Sequence, residues 1–342
     1  MSKKRAPKNV KSSTTEELGE RKIIKLIQNL LTKMPNAPTP FGDDVSAIDM
    51  GKGQLAILKT DMLVGKTDVP RGMSLWKAAR KAIVMNVSDF AAKGVEPIAG
   101  LVSLGLPRDL MRKDIEEIAR GLNAGAQEYG ANIIGGDTSE TSDLIVSISL
   151  FGTTKRKALV LRTGAKIGEI VAVTGFFGKT AAALQLLLNN YAASEELREV
   201  LLRSVYMPKA RLSEGLALCG SGAISASIDS SDGLAWSLHE LARMSRVGIL
   251  VNSVPVADEV LRFAEFNRLD PIELALYGGE EYELVVTIKP KLWAIAEIAV
   301  QSAGGSLLPI GKVTKDKQVS LNVDHKIEPI QPRGWEHFKS MV

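Results

Sequence analysis

The chain of 342 residues is long enough for two domains of ordinary size, and its 45% hydrophobic and 24% charged residues are those of a folded globular protein. No apolar run approaches the roughly 20 residues needed to cross a bilayer. Cys219 is the only cysteine, which excludes an intrachain disulfide and a cysteine-built zinc site, and the net charge of +4 is modest.

That charge is concentrated at the start. Lys3, Lys4, Arg5, Lys8 and Lys11 precede the first acid, Glu16, so the rest of the chain is close to neutral. With no aromatic residue interleaved, residues 1–14 read as a disordered, solubilising tail rather than a nucleic-acid contact. No apolar segment follows the basic stretch, so a signal peptide is not expected and the protein is read as cytoplasmic. Thr14 or Thr15 with Glu17 caps a predicted helix over 15–33. Strands are predicted at 45–49, 55–60, 98–104, 132–134 and 144–151. Between them come helices from Ser74 to Gly94 and from about Asp109 to Gly130. A polar, glycine-containing connector at 158–168 marks a boundary between domains at 15–157 and 158–342. Beyond it, strands are predicted at 170–174, 223–228, 282–288, 307–313 and 319–322. Helices are predicted at 180–189, 195–204, 209–218, 233–244, 258–266 and 290–303. Strands and helices mixed in both halves give a two-domain α+β or α/β protein.

The informative residues are aspartates placed where regular structure is predicted to end. Asp43 and Asp44 precede the first strand, Asp61 ends the second, and Asp137 follows Gly135 and Gly136. Asp229 and Asp232 stand between a strand and a helix. Turn formation explains any one of them equally well, but α/β proteins converge functional groups at such places. Asp89 differs, because it lies inside an apolar helix with Asn86 on the same face. A carboxylate there must bind a cation or pair with Lys81, Arg80 or Lys93. Many aspartates and only three histidines, His239, His325 and His337, suit Mg²⁺ shared with phosphates and not zinc. The segment Gly175–Thr180 ends like a Walker A loop between a strand and a helix. The full pattern requires glycine at position 173, where Val173 stands, so it reads as a glycine-rich turn.

Eight segments recur in the order of one family: FGDDV (41–45), LKTDM (58–62), VMNVSDFAAKG (84–94), IGGDT (134–138), RTGAKIG (162–168), IDSSDG (228–233), GGEEYEL (278–284) and GWEHF (334–338). Together they resemble the thiamine-monophosphate kinases, of the superfamily that includes aminoimidazole ribonucleotide synthetase. The resemblance implies an N-terminal ATP- and metal-binding domain that forms a dimeric β-barrel flanked by helices. It implies a C-terminal α/β domain that completes the substrate site, and a homodimer. It also implies direct transfer of the ATP γ-phosphoryl group to thiamine monophosphate, giving thiamine diphosphate, with several Mg²⁺ ions and no covalent intermediate. The implied metal positions are Asp43, Thr60, Asp61, Asp89, Asp137, Asp229 and Asp232. Gly136, Asp137 and Ser231 match ATP contacts, joined by a basic residue near Lys157 or Arg162. Glu280 and Trp335 match substrate contacts, the ring being suited to a cationic heterocycle. Two positions depart from the family: Asp68 stands where its substrate-contacting His is usual, and Glu281 where Asp is usual. Other superfamily enzymes fit less well. Hydrogenase maturation proteins end in a functional Cys and selenophosphate synthetases carry one near the N-terminus, while aminoimidazole ribonucleotide synthetase lacks the GGEEYEL-like segment. A non-catalytic nucleotide or nucleic-acid binder using the basic tail is the alternative outside the superfamily.

Overall fold

The computed structural model describes residues 13–339, so residues 1–12 of the expected tail lie outside the described residues. The chain forms two units: a large one, Asn36–Gly334, and a small one drawn from the chain up to Pro35 and from Trp335 onward. In the small unit Thr14 and Glu17 form a reciprocal capping box on the helix Thr15–Leu18. The single helix predicted over 15–33 is broken at Gly19, whose φ of +71° stops it, and a second helix runs Glu20–Leu30. Glu20 accepts a bond from His337 N (3.1 Å) and Arg21 pairs with Glu336 (3.5 Å), which ties the two chain ends of this unit together.

The large unit holds two sheets. The first contains β1 (Ser46–Gly51), β2 (Gln54–Val64), β3 (Pro97–Leu106), β4 (Asn132–Glu140) and β5 (Ile145–Lys155), in the order β1-β2-β5-β3-β4. All neighbours are antiparallel except β3 and β4, which are parallel and joined through the helix Arg112–Glu128. The second contains β6 (Ile170–Val173), β7 (Ile224–Asp229), β8 (Gly248–Val251), β9 (Leu284–Ile288), β10 (Leu308–Thr314), β11 (Val319–Val323) and β12 (Lys326–Pro329). Its order is β12-β11-β8-β10-β6-β9-β7, and neither sheet closes on itself. Mixed sheets with helices in both halves match the predicted class.

Several boundaries differ from those predicted. β2 runs past position 60 to Val64 because Thr60 and Asp61 pair with Ser149 and Ile148 of β5. β4 runs past position 134 through two glycines to Glu140, held by its register with β3. Asp61 and Asp137 are therefore inside strands and not at strand ends. The helices Gly65–Asp68 and Pro271–Tyr277 and the strands β8 and β12 were not predicted, all being short. The helix predicted from 209 starts at Leu212, and the one predicted from 290 is a 3₁₀ turn, Pro290–Leu292, followed by Trp293–Ser302. Among the described residues no helix is long and apolar enough to cross a membrane.

Alternation along the first sheet fixes what each face carries. Leu55, Ile57, Leu63, Val146, Ile148 and Leu150 point inward and are buried with Ile83, Val87 and Phe90 of the helix Leu75–Lys93. Each such side chain contributes about 1.5–3 kcal/mol by leaving water. The opposite face is open, with Leu58, Met62, Leu101 and Phe151 exposed.

Candidate active site

The helix Leu75–Lys93 is the spine of the site. Ser74 caps it by accepting from Lys77 N (3.3 Å), and Gly94, in the left-handed region at φ +63°, ends it. Its buried Asn86 accepts a bond from Asp61 N (3.0 Å) and donates to Ala82 O (3.0 Å), so the helix grips β2 at Asp61. Three carboxylates converge here. Asp44 precedes β1, Asp89 lies on the helix, and Asp229 ends β7. One carboxylate oxygen from each lies within 4.8 Å of the others, and all three residues are buried.

Three carboxylates so close need counter-charge. Lys59 Nζ reaches Asp89 (2.9 Å) and Asp61 (3.1 Å). The fully buried Lys93 pairs with Asp44 (2.7 Å) and Asp43 (2.8 Å) and donates to Ser227 O (2.8 Å). Arg162 donates from Nε to Asp44 (2.5 Å), from its backbone N to Asp43 (3.1 Å) and from Nη1 to Gly42 O (3.0 Å). Ser88 donates to Asp229 (2.7 Å).

Protonation follows this partition. Burial opposes charge on Asp44, but Arg162 and Lys93 outweigh it and hold its carboxyl below the ordinary value. Burial pushes Asp229 up to about 6, reinforced by the Asp44 charge. Burial likewise pushes Asp89 well above the carboxylate range, against the pull of Lys59. Burial works against charge on Lys59 too, yet Asp61 and Asp89 raise its pKa above the ordinary lysine value. The cluster thus gathers more carboxylates, Asp43, Asp44, Asp61, Asp89 and Asp229, than Lys59, Lys93 and Arg162 can neutralise. Hard, clustered carboxylate oxygens that resist ionising without a further cation fit a magnesium ion.

The other sequence-predicted residues are distributed as follows. Asp43 stands beside the cluster but faces Lys93 and Arg162; its neighbour Asp44 supplies the converging oxygen, a residue missed because adjacent acids are indistinguishable in sequence. Thr60 accepts from Ser149 Oγ (3.2 Å) on the open face of the sheet, and the register places Asp137 on that same face, opposite Asp61. Gly136 lies on the edge strand β4, where a Cβ would collide with the Val102 carbonyl. Arg162 is at the cluster, whereas Lys157 is exposed in the turn after β5. Ser231 is exposed and Asp232 partly buried just before the helix Leu234–Ser245; neither joins the three-carboxylate cluster.

Asp68 accepts a bond from Val64 N (2.7 Å), and its carbonyl accepts from the buried Lys81 (3.0 Å). Lys81 also pairs with Glu280 (2.5 Å), so two predicted substrate contacts share one lysine. Glu280 itself is held at φ +63° by its N donating to Ser231 O (2.6 Å), the kind of constrained backbone that marks functional segments. Trp335 belongs to the small unit and packs edge-to-face on His337 (5.8 Å between centroids). The partner of Asp89 is Lys59, not the helix neighbours Lys81, Arg80 or Lys93. Sequence reasoning missed Lys59; strand alternation, which puts Lys59 and Asp61 on one side of β2, is the signal that could have found it.

The Walker-like segment is already filled. Gly178 caps the helix Lys179–Leu188, and Glu281 accepts from Gly178 N (2.8 Å) and Thr180 N (3.0 Å). A side-chain carboxylate occupies the place where a P-loop would hold a phosphate.

Family models then place the molecule. The AIR synthase related protein N-terminal domain matches residues 42–154 and the corresponding C-terminal domain matches 166–324. The chain is 36% identical over 323 residues to the thiamine-monophosphate kinase of Nitrosopumilus maritimus, covering 94% of this chain and 99% of that protein. It is 39% identical over 302 residues to the enzyme of that name from Pyrococcus horikoshii, covering 87% and 91%. A solved structure described as AaThiL complexed with AMPPCP and TMP superposes with a TM-score of 0.83 at 31% identity, covering 96% of this chain and 99% of that one. The fold is that of an AIR synthase related protein. Within that class the chain belongs to the thiamine-monophosphate kinase family.

Proposed function

We propose that this chain transfers the γ-phosphoryl group of ATP to thiamine monophosphate, forming thiamine diphosphate in the last step of that cofactor's synthesis. The observation that carries the reading is the convergence of Asp44, Asp89 and Asp229 with Arg162, in a chain that matches a kinase structure complexed with AMPPCP and TMP along almost its whole length.

In this reading Asp44, Asp89, Asp229 and the adjacent Asp61 hold magnesium, with Asp43 and Asp232 beside them. Thr60 and Asp137 serve a separate position, because side chains on the two faces of β2 and its sheet do not meet at one ion. Magnesium held by these carboxylates would supply charge neutralisation for the phosphates during transfer. The chain's own work is positioning. Arg162 fixes Asp44 and presents positive charge to the phosphates, Gly136 and Ser231 bring backbone close to ATP, Lys81 orients Glu280 toward the substrate and anchors the Asp68 backbone, and the Val64 amide holds the Asp68 carboxylate. Trp335 supplies a ring for the thiamine heterocycle. No side chain needs to form a covalent intermediate.

The reading divides the chain at 157/158, with ATP and metal on the N-terminal side, and places the enzyme in the cytoplasm as a homodimer. Support for the dimer comes from the open apolar face bearing Leu58, Met62, Leu101 and Phe151. A second copy pairing there would complete the expected barrel and bring ATP near the interface. Incubating the protein with Mg²⁺-ATP and thiamine monophosphate and assaying thiamine diphosphate tests the reaction. Formation of ADP without thiamine diphosphate would defeat it. Leu58→Glu with Leu101→Asp should yield monomers in sedimentation velocity.

A further inference from the structure

A cavity of about 550 Å³ opens beside the GGEEYEL segment, between the helix Lys179–Leu188 and the helix Glu195–Tyr206. Its volume is that of a small-molecule pocket. None of the clustered aspartates lines it, although Glu280 forms part of its wall. Three of its cations stand apart from the ion pairs of the fold. Arg211 is committed to Glu283 in a two-pronged contact (2.5 and 2.9 Å). Among the described residues Lys179, Arg203 and Lys209 make no side-chain hydrogen bond or ion pair. The Thr180 hydroxyl on the same wall is buried and also without a partner. Phe176, Val200, Met207 and Pro208 add apolar lining.

We infer that this cavity is a second ligand site, for a phosphorylated organic molecule whose anionic end meets Lys179, Arg203 and Lys209 and whose flat apolar body lies on Phe176 and Met207. Each uncommitted cation favours an anion, and arginine is suited to the paired oxygens of a phosphate. The unpartnered Thr180 hydroxyl supplies a donor. The three glutamates of the cavity wall are held within the fold: Glu280 by Lys81, Glu281 by the Gly178 and Thr180 amides with Lys179 nearby, and Glu283 by Arg211. The cavity adjoins the proposed substrate contacts through Glu280, but none of the aspartates that would hold the transferred phosphates lines it. The inference goes beyond the kinase reading and stands whether or not that reading holds.

The test is a calorimetric titration of the full chain with AMP in EDTA. Without a divalent ion the aspartate cluster repels phosphates, so binding reports the basic cavity. The expected result is one AMP bound per chain, weakened at least tenfold by Arg203→Ala combined with Lys209→Ala and little changed by Asp89→Asn. Both replaced residues are exposed, so the variant should fold, and its melting temperature checks this. Undiminished AMP binding in the double variant, or no binding by the wild type at millimolar AMP, would overturn the inference. Inorganic phosphate binding as tightly as AMP would overturn the assignment of the apolar lining to an organic body. The double variant should still make thiamine diphosphate at near the wild-type rate. Loss of that activity with AMP binding intact would also contradict a site separate from the transfer centre.

Discussion

Two regions of this chain carry a phosphate-binding signal in sequence: the scattered aspartates, through a shared magnesium ion, and the Gly175–Thr180 turn, whose Walker-like spacing is too short. In the fold they are opposites. The turn presents backbone N–H groups at a helix start, the usual cradle for an anion, and the protein closes that cradle with Glu281. The aspartates present only negative charge, yet they are gathered in the interior, where like charge is most costly, and only partly neutralised by Lys59, Lys93 and Arg162. A helix start that is internally satisfied is structural. A buried carboxylate cluster left short of cations has the chemistry to take an external cation.

The largest effect expected from that contrast is catalytic. Asp89→Asn or Asp229→Asn should lower turnover on the order of 10²–10³-fold while leaving the fold intact, measured as thiamine diphosphate formed under saturating Mg²⁺-ATP. Next comes stability at the cluster. Lys93→Met leaves Asp43 and Asp44 buried without their shared ammonium and should cost about 3–5 kcal/mol in urea unfolding.

Glu281 gives a smaller effect, of opposite sign. Burial pushes its carboxyl from the ordinary 4.5 up to about 7, against the pull of the Thr180 and Gly178 amides. Because the folded pKa is the higher one, its contribution to stability is complete below pH 4.5 and is lost as pH rises through about 7. Glu281→Gln keeps an oxygen for the two amides and removes the charge. It should be more stable than the wild type by about 1–3 kcal/mol at pH 8, with the advantage vanishing near pH 4. Thermal unfolding at the two pH values reads this directly. The smallest effect is at Lys179, the apparent P-loop lysine, where Lys179→Met should change turnover less than about twofold; a true P-loop lysine would lose orders of magnitude.

Much of this was legible in the sequence because it depends on local pattern. The helix from Ser74 to Gly94 carries its own cap and stop, and Asp89 stood out because it interrupts an apolar run. The shortened Walker-like spacing gave the decoy away. What was not legible depends on pairing between distant segments. β2 and β4 extend beyond their propensities because β5 and β3 hold them, which moved Asp61 and Asp137 from strand ends into strands. The choice of Asp44 over Asp43 is made by the direction of the backbone in a turn, and the Lys59–Asp89 pair joins a strand to a helix thirty positions away. Glu281 closing the helix start links positions about a hundred residues apart.

The central claim is that the converging aspartates, and not the helix start, bind the divalent ion that carries ATP. Equilibrium dialysis of Mn²⁺ with the wild type, Asp229→Asn and Glu281→Gln, each with a non-hydrolysable ATP analogue, tests it most directly. The account expects ions bound by the wild type and by Glu281→Gln, and at least one fewer in Asp229→Asn. Equal Mn²⁺ binding by the wild type and Asp229→Asn, or loss of binding in Glu281→Gln alone, would contradict it.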